Sequence, residues 1–246
     1  NAQVTDGDTV FLWAEGVTGG EVEPAGGLDE FNWFFPLLNG NVSLIGVNSN
    51  GIEDGTRYTY YCAAGWGTGF NINSDSAGNF AYAYPELSGM GYAGLANYIL
   101  TLKNIRWTEA KTLDSSIAYS NGGISIGNTQ SASRSVVINC ETGPYTSTVG
   151  TWLPSNNRYN GTFCLIDCYF HDINSTYIVT MTEPMMIGCL FNNVASSINV
   201  SLWGKGTSIC NNVFANGSGS GVMILDYAAS DENNFNQISN NVFYNN

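Results

Sequence analysis

"SICNNVFANG" (Ser208–Gly217) and "QISNNVFYNN" (Gln237–Asn246) say almost the same thing twice. With the phenylalanine as anchor, the repeat widens. "LIDCYFHD" contributes Phe170 and "MIGCLFNN" contributes Phe191, while "VINCETG" and "LKNIRWTE" fit more loosely through Thr142 and Trp107. The anchors are then Trp107, Thr142, Phe170, Phe191, Phe214 and Phe243. Five residues before them stand Leu102, Val137, Leu165, Met186, Ile209 and Ile238, a wholly apolar column. Two residues before stand Ile105, Cys140, Cys168, Cys189, Asn212 and Asn241; three before stand Asn104, Asn139, Asp167, Gly188, Asn211 and Asn240. A weaker, earlier copy is read in "SLIGVNSNG", near Val47.

Anchor-to-anchor steps run from 21 to 35 residues. Periods of about 20 to 30 residues belong to solenoids in which each repeat is one coil. The windows are rich in Asn, Gly, Ser, Thr, Val and Ile, which disfavour helix interiors. The step between the two apolar columns is three residues, so a strand ends there and a tight bend follows. Asn and Gly tolerate the left-handed backbone that such a bend needs. A strand, an Asn bend and a second strand opening on an inward aromatic make one corner of a β-helix. Both columns, including Ile238 and Phe243, are expected to be buried.

The chain from about Leu100 onward resembles the right-handed parallel β-helix, or pectin-lyase-like, superfamily. The motifs that carry the resemblance are "LKNIRW", "VINC", "LIDCYFHD", "ICNNVFANG" and "ISNNVFYNN". "VTDGDTVFLWAEG" and "VSLIGVNSNG" are similar to the entry coils of such folds. The resemblance implies an all-β parallel solenoid and says little about activity, because this fold carries lyases, hydrolases, tailspikes, adhesins and scaffolds alike. In character the chain is closest to phage tailspike, virion-surface or extracellular adhesin β-helices.

One elongated domain over 1–246 is expected: acidic entry coils and an N-terminal cover over 1–56, an aromatic Gly-rich excursion over 57–98, and regular coils over 99–246. Charged residues are only 11 per cent of the chain, so Asn, Ser, Thr and Gly must cover the surface, as in many extracellular β-solenoids. No apolar run is long enough to span a membrane. The start carries neither an initiator Met nor a signal-like segment, and the last copy leaves too few residues for a cap. A processed product or a segment of something longer is therefore expected. Its open coil would be covered by later residues or by another subunit of a homo-oligomer or fibre, such as a trimer.

Net charge is −13, and nine of the 20 acids fall between Asp6 and Asp54, with no Lys or Arg before Arg57. That excludes nucleic acid as a partner, since no basic stripe neutralises phosphates, and it makes an acidic polymer an awkward ligand. The acids read first as a solvated surface. As a ligand set they would suit calcium, around Asp6 and Asp8 or Glu53 and Asp54, if their oxygens converge; Asp-Gly also simply makes turns.

Of the six cysteines, Cys62, Cys140, Cys164, Cys168, Cys189 and Cys210, none forms a CxxC pair, and His171 is the lone histidine, which disfavours zinc. Cys140, Cys168 and Cys189 share a column. Successive strands sit about 4.8 Å apart, within the span of a disulfide; a ladder of buried free thiols fits the same column, which also accepts Ile105. Sequons at Asn41, Asn160, Asn174, Asn199 and Asn216 are what a chain so rich in Asn, Ser and Thr carries by chance.

The stretch from Arg57 to Tyr98 breaks the rhythm. Its aromatics either cover the solenoid or offer flat surface to a surface glycan or a receptor. As that face we single out Tyr58, Tyr60, Tyr61, Trp66, Tyr82, Tyr84 and Tyr92. "FNWFFPLL" (Phe31–Leu38) and "WLPSNNRY" (Trp152–Tyr159) are read as a cover and a loop.

For chemistry, the resemblance implies a calcium-binding carboxylate cluster with a basic proton acceptor in lyases, and Asn-Thr-Asp, Asp-Asp, Gly-His-Gly and Arg-Ile-Lys signatures in polygalacturonases. None of these signatures occurs. A glycosidase needs two carboxyls at a suitable separation, which Glu141, Asp167, Asp172 and Glu183 could supply. Asp167 falls in the bend column, where such side chains bond backbone. His171 and Asp172 are adjacent, and strand neighbours face opposite sides. The expectation is a non-catalytic structural or display β-helix of a virion (tail, fibre or capsid decoration) or cell-surface assembly, extracellular and without a cofactor. The second class is a glycan- or receptor-binding module. The third is a polysaccharide-degrading enzyme, a glycoside hydrolase or lyase.

Overall fold

The computed structural model describes residues 7–13, 20–22, 41–62, 70–72, 99–109, 124–126, 134–144, 162–173, 184–194, 199–202, 208–217, 223–226 and 237–245. All regular structure among them is strand, and two eight-stranded parallel sheets dominate. The first stacks Thr9–Trp13, Asn41–Val47, Ile99–Lys103, Arg134–Ile138, Thr162–Ile166, Pro184–Ile187, Ser208–Cys210 and Gln237–Ser239. The second stacks Gly20–Val22, Tyr58–Cys62, Ile105–Glu109, Glu141–Thr142, Tyr169–Ile173, Leu190–Val194, Val213–Ala215 and Val242–Tyr244. Among the described residues the chain alternates between the sheets, so each of eight successive coils gives one strand to each, an arrangement compatible with a parallel β-helix. Phe70–Ile72 pairs with Ile124–Ile126, and Asn199–Leu202 with Met223–Asp226; each of these strands follows a second-sheet strand in the chain, where the return side of a coil belongs.

The corner between the sheets is the Asn column. Asn104, Asn139, Asp167, Gly188, Asn211 and Asn240 all have φ between 49 and 69°, the left-handed region that Asn, Asp and Gly enter at least cost. Repeating one bend at one position keeps the strands on either side in register. Leu102 therefore lies on Val137, Val137 on Leu165, Leu165 on Met186, Met186 on Ile209 and Ile209 on Ile238. The anchors stack likewise, Trp107 on Thr142, Thr142 on Phe170, and so on to Phe243. Phe170, Phe191, Phe214 and Phe243 form a near-parallel pile with centroids 4.8, 4.9 and 5.0 Å apart, the strand spacing itself. Burying one such ring contributes about 1.5–3 kcal/mol.

A second bend repeats two residues after the anchor. Asp172, Asn193, Asn216 and Asn245 have φ of 50, 54, 55 and 51°. "FHD", "FNN", "FAN" and "FYN" carried that signal, and the sequence analysis passed over it. Side chains bridge coils here: Asn193 Nδ2 donates to Asp172 Oδ1 at 2.6 Å, Asn216 to Asn192 at 2.8 Å and Asn245 to Asn216 at 3.0 Å.

The cysteine column is a ladder of free thiols. Cys140, Cys168 and Cys189 are buried and unbridged. Cys140 Sγ donates to Leu102 O at 3.7 Å and Cys168 Sγ to Val137 O at 3.4 Å. Where the column changes to Asn, the amide takes the equivalent carbonyl: Asn212 Nδ2 to Met186 O at 3.0 Å and Asn241 Nδ2 to Ile209 O at 2.8 Å. Thiol and amide are exchangeable here because both supply a donor to the same carbonyl of the preceding coil.

Three expectations need correction. Ile238 and Phe243 are exposed, Phe243 to 57 per cent, because they lie on the eighth coil and, among the described residues, a strand pairs with only one side of it. The early copy near Val47 is a true coil, with Leu44 in register with Leu102, but its anchor position is Tyr60, reached after residues 48–57 loop out at the corner. Tyr58–Cys62 is consequently coil and not excursion, and Tyr58 is buried where it stacks on Ile105.

Candidate functional site

Side chains flanking the inward anchor point outward. On the second sheet that outer row places Arg106 beside Glu141 and Glu141 beside Tyr169. Two positions further along, His171 is reached. Gly143 lies over it, and a Cβ there would collide with the backbone of His171, so this passage between coils requires glycine. Register thus brings together residues that lie 28 or more positions apart in the chain.

Glu141 is the hub. Its Oε1 lies 2.9 Å from Arg106 Nε and 3.2 Å from His171 Nε2; its Oε2 accepts from Arg57 Nη1 at 2.8 Å. Arg57 also donates to Asn139 O and Asn139 Oδ1, each at 2.8 Å, pinning the end of the 48–57 loop to the corner two coils on. His171 Nδ1 meets Asp172 Oδ2 at 2.8 Å, and its ring stacks on Tyr169 at 4.3 Å. The expected separation of His171 and Asp172 onto opposite faces does not hold. Asp172 sits in the left-handed second bend, and that breaks the pleat alternation.

Both ring nitrogens of His171 face carboxylates. Where both carboxylates are ionised each nitrogen must donate, so the arrangement favours the imidazolium form. Burial works against the charge, but the hydrogen bonds and charges of Glu141 and Asp172 prevail and raise its pKa above the ordinary range. Burial likewise opposes ionisation of Glu141, yet the His171 hydrogen bond and the Arg106 and Arg57 charges hold its pKa low. Asp172 is lowered by His171 and then by Asn193. The His171 and Glu141 side chains are 11 and 14 per cent exposed, whereas Asp172 opens to solvent.

The other predicted residues do not join this cluster. Asp167 is an exposed corner residue of the first bend, one coil on. Glu53 pairs with Lys103. Asp54 accepts from Thr56 N at 2.9 Å and from Asn48 Nδ2 at 2.7 Å; bonding to Thr56 and Asn48 brings its pKa down to about 2. Its oxygens close the loop rather than converge on a cation, and no metal-holding group of acids, His and Cys occurs among the described residues. Asp8 is half-buried on the first coil. The backbones of Tyr60 and Tyr61 are coil strand. Asp6, Trp66, Tyr82, Tyr84, Tyr92 and Glu183 lie outside the described residues. Sequence reasoning did not select Arg57 and Arg106. The signal for Arg106 was its place one residue before an anchor, the same place as Glu141.

Among the described residues, no helix is long and apolar enough to cross a membrane. No protein-family model, curated protein or solved structure matches the chain.

Proposed function

We propose that this chain is a non-catalytic structural or surface-display β-helix, of pectin-lyase-like right-handed type, in a virion tail, fibre or capsid decoration or in a cell-surface assembly. It works outside the cell or on the virion surface, alongside other copies of itself, and presents glycan- or receptor-binding faces. The observation that carries this reading is the engagement of Glu141 by fixed cations, Arg57, Arg106 and His171, while the ring nitrogens of His171 meet Glu141 and Asp172. A general base needs a free lone pair, and a nucleophilic or acidic carboxyl needs freedom from fixed cations. Glu141 and His171, little exposed on the second sheet's outer face, instead act as clamps between coils.

A second reading is a polysaccharide-degrading enzyme. The solvent-facing Asp172, joined through His171 to Glu141, favours it as a relay of two carboxyls and an imidazole. Release of reducing ends or unsaturated products from a panel of plant, bacterial and algal polysaccharides separates the two. The display reading expects no release. Turnover that falls at least about a hundredfold in Asp172→Asn or Glu141→Gln would establish the enzyme.

A further inference from the structure

The first two coils leave large apolar side chains in solvent at one place. Phe11 and Trp13, outward on the first strand, are each 49 per cent exposed, and Ile52, which follows the Gly51 that approaches Trp13, is exposed too. Phe11 is in register with Ile45 and Ile45 with Lys103, so one outward column runs from aromatic to aliphatic to ammonium. Lys103 is held by Glu53 of the loop. The result is an aromatic ledge with a Lys–Glu ion pair two strands along the same outer column.

The loop supports the ledge rigidly. Asn48 Oδ1 accepts from Asn50 N at 2.9 Å and Ile52 N at 3.0 Å, Gly51 N donates to Asn48 O at 2.9 Å, and Asn48 N donates to Ile52 O at 3.0 Å. Gly51 has φ +74°, and the position of a Cβ there lies 2.7 Å from Trp13 Cζ2. The missing side chain lets the indole lie on the loop backbone. One edge of Trp13 is thereby supported before any ligand arrives, which lowers the ordering cost of binding.

We propose that this ledge binds an uncharged hexopyranose chain, with the C–H face of one sugar ring on Trp13 and hydroxyls reaching the Lys103–Glu53 pair. An exposed, backed indole offers a flat apolar body with polar groups at its rim, which is what a sugar ring presents in return. The Lys103–Glu53 pair is neutral in itself, while Asp54 on the same loop and a net charge of −13 disfavour uronates and sulfated glycans. This site deepens the glycan-binding part of the proposed function and moves it from the Tyr-rich stretch to the N-terminal coils.

The test is isothermal titration of the whole chain with cello-, manno-, malto- and N-acetylchitohexaose, with hexagalacturonate alongside. At least one neutral hexamer should bind and the uronate should not. Trp13→Ala should weaken that binding about tenfold or more. Gly51→Ala keeps the indole but pushes it off its support, and should weaken binding about threefold or more. Circular dichroism confirms that each variant is folded; if Trp13→Ala is not, Phe11→Ala and Gly51→Ala decide. Binding untouched by these changes overturns the ledge while leaving a glycan-binding β-helix intact. No binding by any hexamer, or a change in sedimentation in place of a change in sugar affinity, also overturns it.

Discussion

Two columns one residue apart behave in opposite ways. The inner one reads Trp107, Thr142, Phe170, Phe191, Phe214, Phe243; the outer one reads Arg106, Glu141, Tyr169, Leu190, Val213, Val242. From Phe170 onward the inner column repeats one residue because each ring lies against the ring of the next coil, and a void there costs packing; the buried Thr142 is its one polar member. The outer column faces water and is free to vary. Its members meet only because the inner column fixes the register. Burial is thus kept along the core, with Phe repeating over the last four coils, and interaction arises along the surface as a by-product of stacking.

The sharpest way to break this contrast is inside the pile. Phe191→Ala should lower unfolding free energy by about 3–5 kcal/mol in urea titration, and Phe243→Ala, on the exposed coil, by less than about 1.5 kcal/mol. Equal losses would show that the rings do not template one another. Next, Asn212→Ala removes the donor to Met186 O and the acceptor for Cys189 N. It should cost about 1–3 kcal/mol. Asn212→Cys should recover part of that loss, since the thiols of the lower coils serve the same carbonyl; no recovery would refute the exchange of thiol for amide.

On the outer column, Glu141→Gln leaves three cationic groups around a neutral amide and should cost about 1–3 kcal/mol. Hydrogen exchange should quicken across the 48–57 loop, because Arg57 loses its carboxylate. A loop unchanged in exchange would mean that Asn139 alone holds it.

The smallest effect is in pH. His171 has a folded pKa raised above its ordinary 6.5, so its stabilisation is full below that value and is lost as pH rises through the raised one. Glu141 is lowered from an ordinary 4.5, so its contribution is present above that value and fades as pH falls through the lowered one. Both act together between the two ordinary values, and the melting temperature should be highest there. His171→Gln should flatten the alkaline side by a few degrees. A wild-type alkaline slope that survives this substitution would place its origin elsewhere.

What the sequence determined by itself was whatever recurs. The Asn bend, the apolar column before it and the aromatic after it are local demands of φ and of burial, repeated in copy after copy, and the parallel coil follows from them. The exchange of Cys for Asn in the third column was also written there, though its reason, a shared carbonyl, became visible only in space. What tertiary structure alone decided is whatever occurs once. Arg57, Arg106, Glu141 and His171 come from four different coils, and no spacing rule links them until the strands are stacked about 4.8 Å apart. The pairing of His171 with Asp172 depends on one left-handed residue. The corner loop of 48–57 hid the anchor at Tyr60 because an insertion at a bend lengthens the sequence without shifting the strands. Periodic core contacts leave a periodic trace in one dimension, while single contacts between surfaces of successive coils leave none.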